Sequence, residues 1–194
     1  MSKGFAFRES DHTFWTTGGD PIPGVSAILK DNGFVDDRWY KAQHATRGHY
    51  VHHICRFIEE GTLDVKTVDD RLKGYVEACQ AFKAEYKGLR TVKTRLEKPV
   101  YNALSGYAGI PDSVPNTIVG RAILDWKSGQ PQDWHMVQIA GYANLYTPTV
   151  ATRLIVYLKK NGTYKLHEDN RREYHDQIFL SALNCYKWRH KNDK

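Results

Sequence analysis

Two carboxylates and a lysine in the middle of the chain have the residue types and spacing that chemistry needs. The stretch "AILDWKSG", residues 122–129, runs apolar side chains into Asp125, adds Lys127 two positions later, and breaks at Ser128-Gly129. On a strand, side chains alternate faces, so positions i and i+2 point the same way. Asp125 and Lys127 therefore share a face, with Trp126 opposite, at a strand end that solvent and substrate can reach. Upstream, "GIPD" places Asp112 in the preceding strand region, and a β-hairpin can bring it beside Asp125. Two carboxylates at close quarters repel, so the arrangement wants a cation. Hard oxygen ligands suit Mg2+ or Mn2+. Lys127 would then orient a metal-bound water, or help deprotonate it if its own pKa falls.

The D/E-x-K spacing alone is weak, since it occurs three times in the chain. Glu85/Lys87 lies near the end of a helical stretch, where i and i+2 do not face each other. Asp64/Lys66 follows Gly61 in a polar loop. Asp125/Lys127 closes an apolar strand, where the plain alternative is a solvated ion pair. Its neighbours favour function. Gln138 and Tyr142 in "QIAGY" fall four apart on a helical stretch and share a face. Gly48 and His52 in "RGHYVHH" do the same, and a neutral imidazole is a good divalent-metal ligand. A lone histidine is more often core or surface. Here His44, His49, His52 and His53, four of nine histidines, crowd ten positions.

These groups need elements to hold them. "GFAFRESDHTFWTTGGDPIPGV" reads as a small hairpin. "SAILKDNG" reads as a short helix with Ser26 as N-cap and Gly33 as stop. Helical patterns run from about Asp36 to Glu60, ended by Gly61, and from Asp69 to Tyr86. "TVKTRLEKPVYN", "GYAGIPDSVPNT" and "IVGRAILDWKSG" are strand-like, and Glu97 falls on the first. "PQDWHMVQIAGYANLYTP" returns to helical spacing, "TRLIVYLKK" is a β-prone apolar run, "GTYKLHEDN" can hairpin onto it, and Arg172 to His190 closes as a helix. Helices, then β-β-β-α-β, then a helix imply one α/β domain with a mixed sheet. It divides into an N-terminal hairpin and helices (1–90), a catalytic sheet and helix (91–160), and a C-terminal hairpin and helix (161–194).

Composition bounds the function. The formal net charge of +6 and pI near 9.1 favour an acidic partner such as nucleic acid. No segment approaches the roughly 18 apolar residues that cross a bilayer, and "MSKGFAFRESDH" has no apolar signal core. The expectation is a cytoplasmic protein with no membrane partner. Cys55, Cys79 and Cys185 are odd in number and far apart. That excludes a disulfide framework and a CxxC metal site, and leaves buried thiols as the expectation.

Taken in order, the series is GxxxH at Gly48–His52, Glu97, G-x-P-D at Gly109–Asp112, D-x-K at Asp125–Lys127 and QxxxY at Gln138–Tyr142. It resembles the PD-(D/E)XK nucleases of the RecB type, which include the nuclease domain of RecB, lambda-type phage exonucleases and the nucleases of CRISPR adaptation. "GGDPIPGVSAILK" is similar to the N-terminal stretch of stand-alone phage members. The resemblance covers residues 20 to 145. It implies a restriction-endonuclease-like core, a central mixed sheet flanked by helices, preceded by an N-terminal hairpin and helical segment. It further implies that Asp112, Asp125, His52 and the backbone carbonyl of Trp126 bind one or two Mg2+ or Mn2+ ions. Lys127 is then the catalytic lysine, Glu97 supports metal or substrate, and Gln138 and Tyr142 steady the site or touch DNA. Asp125 stands where many relatives have Glu. The iron–sulfur cysteines of some relatives are absent, so no cluster is expected.

The function implied is a metal-dependent DNA exonuclease of phage recombination or DNA end processing, with a recombinase or single-strand-binding protein as candidate partner. The alternatives are a structure-specific or restriction-like endonuclease and, from another class, an inactive basic DNA-binding module. The intact Asp112, Asp125 and Lys127 argue against the last. Arg47, with Lys73, Lys83, Lys87, Lys93 and Arg95, is a candidate for lining a DNA groove, and Trp15, Trp39, Trp126 and Trp134 for stacking on unpaired bases. For any one of these, a solvated face or core packing is the plainer reading.

Overall fold

The computed structural model describes residues 4–35, 42–146 and 150–191, with the side chains of residues 42–44 also outside the description. The expected helix start at Asp36, and Trp39, lie outside the described residues. Three short antiparallel strands open the chain: β1 (Phe5–Arg8), β2 (Thr13–Thr16) and β3 (Pro21–Ile22). They bury Phe14 and Ile22 against Ala108. Helix α1 (Val25–Asp31) buries Val25, Ile28 and Leu29. Its N-cap is Gly24, not Ser26, whose side chain is used elsewhere. Gly33, at φ +74°, ends it as expected.

Helix α2 (Ala42–Glu60) ends at Gly61, also in the left-handed region at φ +74°. Helix α3 (Lys73–Glu85) follows a single 3-10 turn at Asp70–Leu72. It turns Tyr75, Val76, Ala78, Cys79 and Phe82 inward, the spacing that the sequence pattern required. The next expected strand is shorter than "TVKTRLEKPVYN" suggests. Lys93–Arg95 form another 3-10 turn, Pro99 offers the ladder no N–H, and only β4 (Val100–Asn102) remains. It pairs with β5 (Tyr107–Gly109) as a hairpin.

The main sheet has the order β6-β7-β8-β9, built from Asn116–Thr117, Gly120–Lys127, Val150–Leu158 and Tyr164–Glu168. β7 and β8 are parallel, and the outer pairings are antiparallel. A parallel pair needs a long crossover, which α4 (Trp134–Asn144) supplies. Helix α5 (Arg172–Arg189) closes the chain. Side-chain alternation on β7 and β8 divides the core in two. Ile123, Ile155 and Tyr157 pack with α1, α4 and α5 on one face. Leu124, Trp126, Leu154, Val156 and Leu158 pack with α2 and α3 on the other. The fold is α/β with a mixed sheet between two helical layers.

Cys55 and Cys79 are buried in the second core, as expected, whereas Cys185 is exposed on α5. A helix turns its residues at positions 179, 182 and 183 inward there, leaving 185 on the outer face. Among the described residues, no helix is long and apolar enough to cross a membrane.

Candidate active site

The site lies at the end of β7, and four segments build it. Segment 112–113 follows β5 and pairs with β7 through one antiparallel bridge. Ser113 N–H donates to the Leu124 carbonyl at 3.2 Å, and Leu124 N–H donates to Ser113 at 3.0 Å. That bridge sets Asp112 beside Trp126, whose backbone N–H donates to Asp112 Oδ2 at 2.7 Å. Trp126 is two residues beyond Leu124, so its carbonyl faces the same strand edge as Asp112. The upstream hairpin thus joins the two acidic segments as the sequence required, although Asp112 stands just past the strand and not within it.

On β7 the alternation holds. Trp126 is buried with α2 and α3, while Asp125 and Lys127 point to the opposite face. Lys127 Nζ lies 2.6 Å from Asp125 Oδ2 and donates to Gln138 Oε1 at 2.9 Å. The other two D/E-x-K pairs do something else. Asp64 caps a 3-10 turn by accepting from Lys66 N–H at 3.0 Å, and Glu85 accepts from the Tyr164 hydroxyl.

Helix α4 supplies Gln138 and Tyr142 from one face. Gln138 Nε2 donates to the Tyr142 hydroxyl at 3.3 Å and to Ser26 Oγ at 3.2 Å. Gly109 makes room for this face, since a Cβ there would sit 3.0 Å from both Tyr142 Cε1 and Leu145 Cδ1. Helix α2 supplies His52, whose Nδ1 lies 3.1 Å from Asp112 Oδ1. His49 and His53 turn to another face and meet each other, Nε2 to Nε2, at 3.0 Å.

The electrostatics follow from burial. Burial lowers the His52 pKa, but the Asp112 carboxylate outweighs it and holds the imidazole above its usual value. Burial raises Asp112, yet His52, Lys127 and the Trp126 N–H bring it below the ordinary carboxylate range. Asp125 goes the other way. Burial pushes it up, Lys127 opposes, and the neighbouring Asp112 charge adds to the rise. Two carboxylates in one site thus differ in how readily they carry charge.

Whether these groups suit a divalent cation can be tested on the donors. Asp125 Oδ2 is buried, and the positive charge beside it is the Lys127 ammonium at 2.6 Å, so the oxygen already sits where a cation is favoured. Asp112, the Trp126 carbonyl and an imidazole complete a set of the kind that takes Mg2+ or Mn2+. As they stand, no three His, Cys, Asp or Glu side chains among the described residues converge as a metal-binding group. Holding a metal requires His52 and Lys127 to give up their contacts with the two carboxylates. The donor set fits the ion.

Two sequence expectations are corrected. Glu97 is not on a strand. It adopts φ +45° beside the 3-10 turn, and its carboxylate is paired with Arg56 Nη1 at 3.0 Å. Its backbone N–H donates to the Asp112 carbonyl at 2.9 Å, so it touches the site through the main chain. Lys83 does not line a surface groove either, because its Nζ lies 3.4 Å from the buried Glu59. Arg47 stays apart from the carboxylates. It lines a groove of about 980 Å3 on another flank of α2 with Tyr50, Phe57, Tyr75 and Lys160.

Sequence reading missed Ser26, Glu59 and His135. Ser26 had been assigned to a cap. Glu59 falls seven residues after His52, hence on the same helical face, and that spacing was the available signal. His135 is buried in the first turn of α4, with Nδ1 2.9 Å from the Tyr157 hydroxyl.

No family model and no curated protein sequence matches the chain. Among solved structures, a provisionally named exonuclease from Eubacterium rectale matches with a TM-score of 0.52 at 14% identity, over 89% of this chain and 74% of that one. An alkaline exonuclease from Laribacter hongkongensis covers 89% of this chain and 92% of its own, at TM-score 0.42 and 12% identity, too distant to bear on the fold. With its mixed sheet, two helical layers and this structural likeness, the chain has a restriction-endonuclease-like fold.

Proposed function

We propose that the protein is a metal-dependent DNA nuclease that hydrolyses phosphodiester bonds from DNA ends, with residues 1–194 acting as one nuclease domain. The observation that carries this reading is the meeting of Asp112 and Asp125 at the end of β7, with Lys127 on one carboxylate and His52 on the other. The likeness to a provisionally named exonuclease supports it.

A bound Mg2+ or Mn2+ would supply Lewis acidity and an activated water. Asp112 and Asp125 would hold it, with His52 and the Trp126 carbonyl as further ligands. Lys127 would present an ammonium to the attacking water or the scissile phosphate. Gln138 fixes where that ammonium sits, and Tyr142 and Ser26 fix Gln138. Glu97 would support Asp112 through its backbone bond. Arg47 and Lys160 would hold DNA phosphates, and the exposed rings of Tyr50 and Phe57 suit stacking on unpaired bases.

The test is digestion of end-labelled linear DNA and covalently closed circular duplex with Mg2+, Mn2+ or EDTA. The expected result is progressive loss of the linear DNA only, abolished by EDTA and by Asp125→Ala. Rapid linearisation of the circle would make the protein an endonuclease. Intact DNA in every metal would overturn the reading.

A further inference from the structure

Glu59 is a carboxylate buried to 7% exposure inside an apolar core. It lies two turns beyond His52 on the same face of α2. Its Oε1 accepts from Ser113 Oγ at 3.0 Å, from Thr91 Oγ1 at 3.1 Å and from Lys83 Nζ at 3.4 Å. Its Oε2 accepts from the Trp126 indole Nε1 at 3.4 Å. Ser113 and Trp126 are the residues that directly follow Asp112 and Asp125. We propose that Glu59 is a positioning residue that sets the two carboxylates of the site, gripping from beneath the residues next to them.

The chain of contacts is short. Glu59 fixes the Trp126 ring, and the Trp126 backbone N–H fixes Asp112 Oδ2. Glu59 also fixes Ser113, whose two backbone bonds to Leu124 set the distance between the acidic segments. The same helix sends His52 to Asp112. One element therefore holds the site from both sides. Stability alone gives no reason for a carboxylate here, because a buried ion pair is often no more stabilising than well-packed apolar side chains of similar volume. What a branched acceptor offers, and leucine cannot, is simultaneous orientation of a hydroxyl and an indole. Hydrogen-bond partners of metal-binding side chains typically matter about 10- to 100-fold in metal affinity or activity, and Glu59 reaches the two carboxylates through one intervening residue.

The inference rests on the nuclease reading, and the experiment separates the two. In Glu59→Ala, kcat should fall about 10- to 100-fold with KM for DNA little changed. Mn2+ affinity by calorimetry should fall by a similar factor, and should fall no further when Glu59→Ala is added to Asp112→Asn. Glu59→Gln keeps an oxygen acceptor for Ser113 and should restore part of the loss. In metal-free protein, the Trp126 indole N–H should exchange faster in Glu59→Ala than in wild type. If Glu59→Ala does not fold, Glu59→Gln and Ser113→Ala take its place with the same readouts. Folded variants with wild-type kcat, Mn2+ affinity and indole exchange overturn the proposal, as does a loss confined to KM for DNA. A wild-type protein that binds no Mn2+ overturns both readings. Mn2+ binding that depends on Glu59, without DNA cleavage, overturns the nuclease reading alone.

Discussion

His52 on α2 and Asp112 beside β7 stand 3.1 Å apart, Nδ1 to Oδ1, and each shifts the other's proton affinity toward the charged pair. The packing of Val51 and Cys55 on α2 against Leu124 and Trp126 on β7 brings the two elements together. The His52–Asp112 contact joins the helical layer to the acidic end of the sheet, and it makes the imidazole part of the site while the neighbouring His49 and His53 are not.

Removing either carboxylate should end cleavage and spare folding. Asp112→Ala and Asp125→Ala should each lose more activity than the about 100-fold typical of outer residues, while DNA binding persists because a repelling negative charge is gone. Since burial makes Asp125 reluctant to ionise, its raised pKa lets stability fall as pH rises through the folded value. Metal-free Asp125→Asn should therefore melt no lower than wild type at neutral pH. Near-normal cleavage by either alanine variant at low Mg2+, in a gel assay, would refute the assignment.

Lys127 should act on chemistry. In Lys127→Ala, kcat should drop by about 10²- to 10⁴-fold, the range for a positioned proton-transfer group. Mn2+ affinity should be no weaker, because the ammonium beside Asp125 Oδ2 is gone. A variant that loses only DNA affinity in steady-state kinetics would make Lys127 a phosphate clamp.

His52 should matter where its neighbours do not. His52→Ala should weaken Mn2+ binding by calorimetry, whereas His49→Ala and His53→Ala should leave it intact, as their rings face each other on a different side of α2. The opposite pattern would mean that the Gly48 register is misplaced.

Acid should destabilise the fold through His135. Burial and the nearby Lys127 lower its pKa to about 3. An unfolded chain takes up a proton near pH 6.5, and the native state does not. Stability is therefore full above pH 6.5 and falls as pH drops toward 3, by up to about 1.4 kcal/mol per pH unit from this group. His135→Gln should flatten that slope in urea melts at pH 4 to 6.5. An unchanged slope would assign acid sensitivity to other groups.

Much of this was legible in the chain. Asp125 and Lys127 could be placed on one face because strand alternation is local, and His52 was separable from His49 and His53 because helical phase is local too. Glu97 was misread because strand-like composition gives no warning of a left-handed backbone before Lys98-Pro99. Glu59 was missed because its partners, Ser113 and Trp126, are 54 and 67 positions away. Only the folded sheet brings them together. Ser26 lost its expected capping role because Gly24 caps the helix two residues earlier.

The bridge between Ser113 and Leu124 also determines where length variation is tolerable. Beyond it, the hairpin between β6 and β7 turns at Ile118 and Val119, which are 95% and 69% exposed. Residues gained or lost at that tip leave the bridge in place. A single residue inserted between Leu124 and Asp125 would instead swap the faces, sending an indole toward Gln138 and a carboxylate into the packed side of α3. A lineage carrying this fold can thus lengthen the hairpin freely, but the four residues from Leu124 to Lys127 admit exchange of side chains and no change in number.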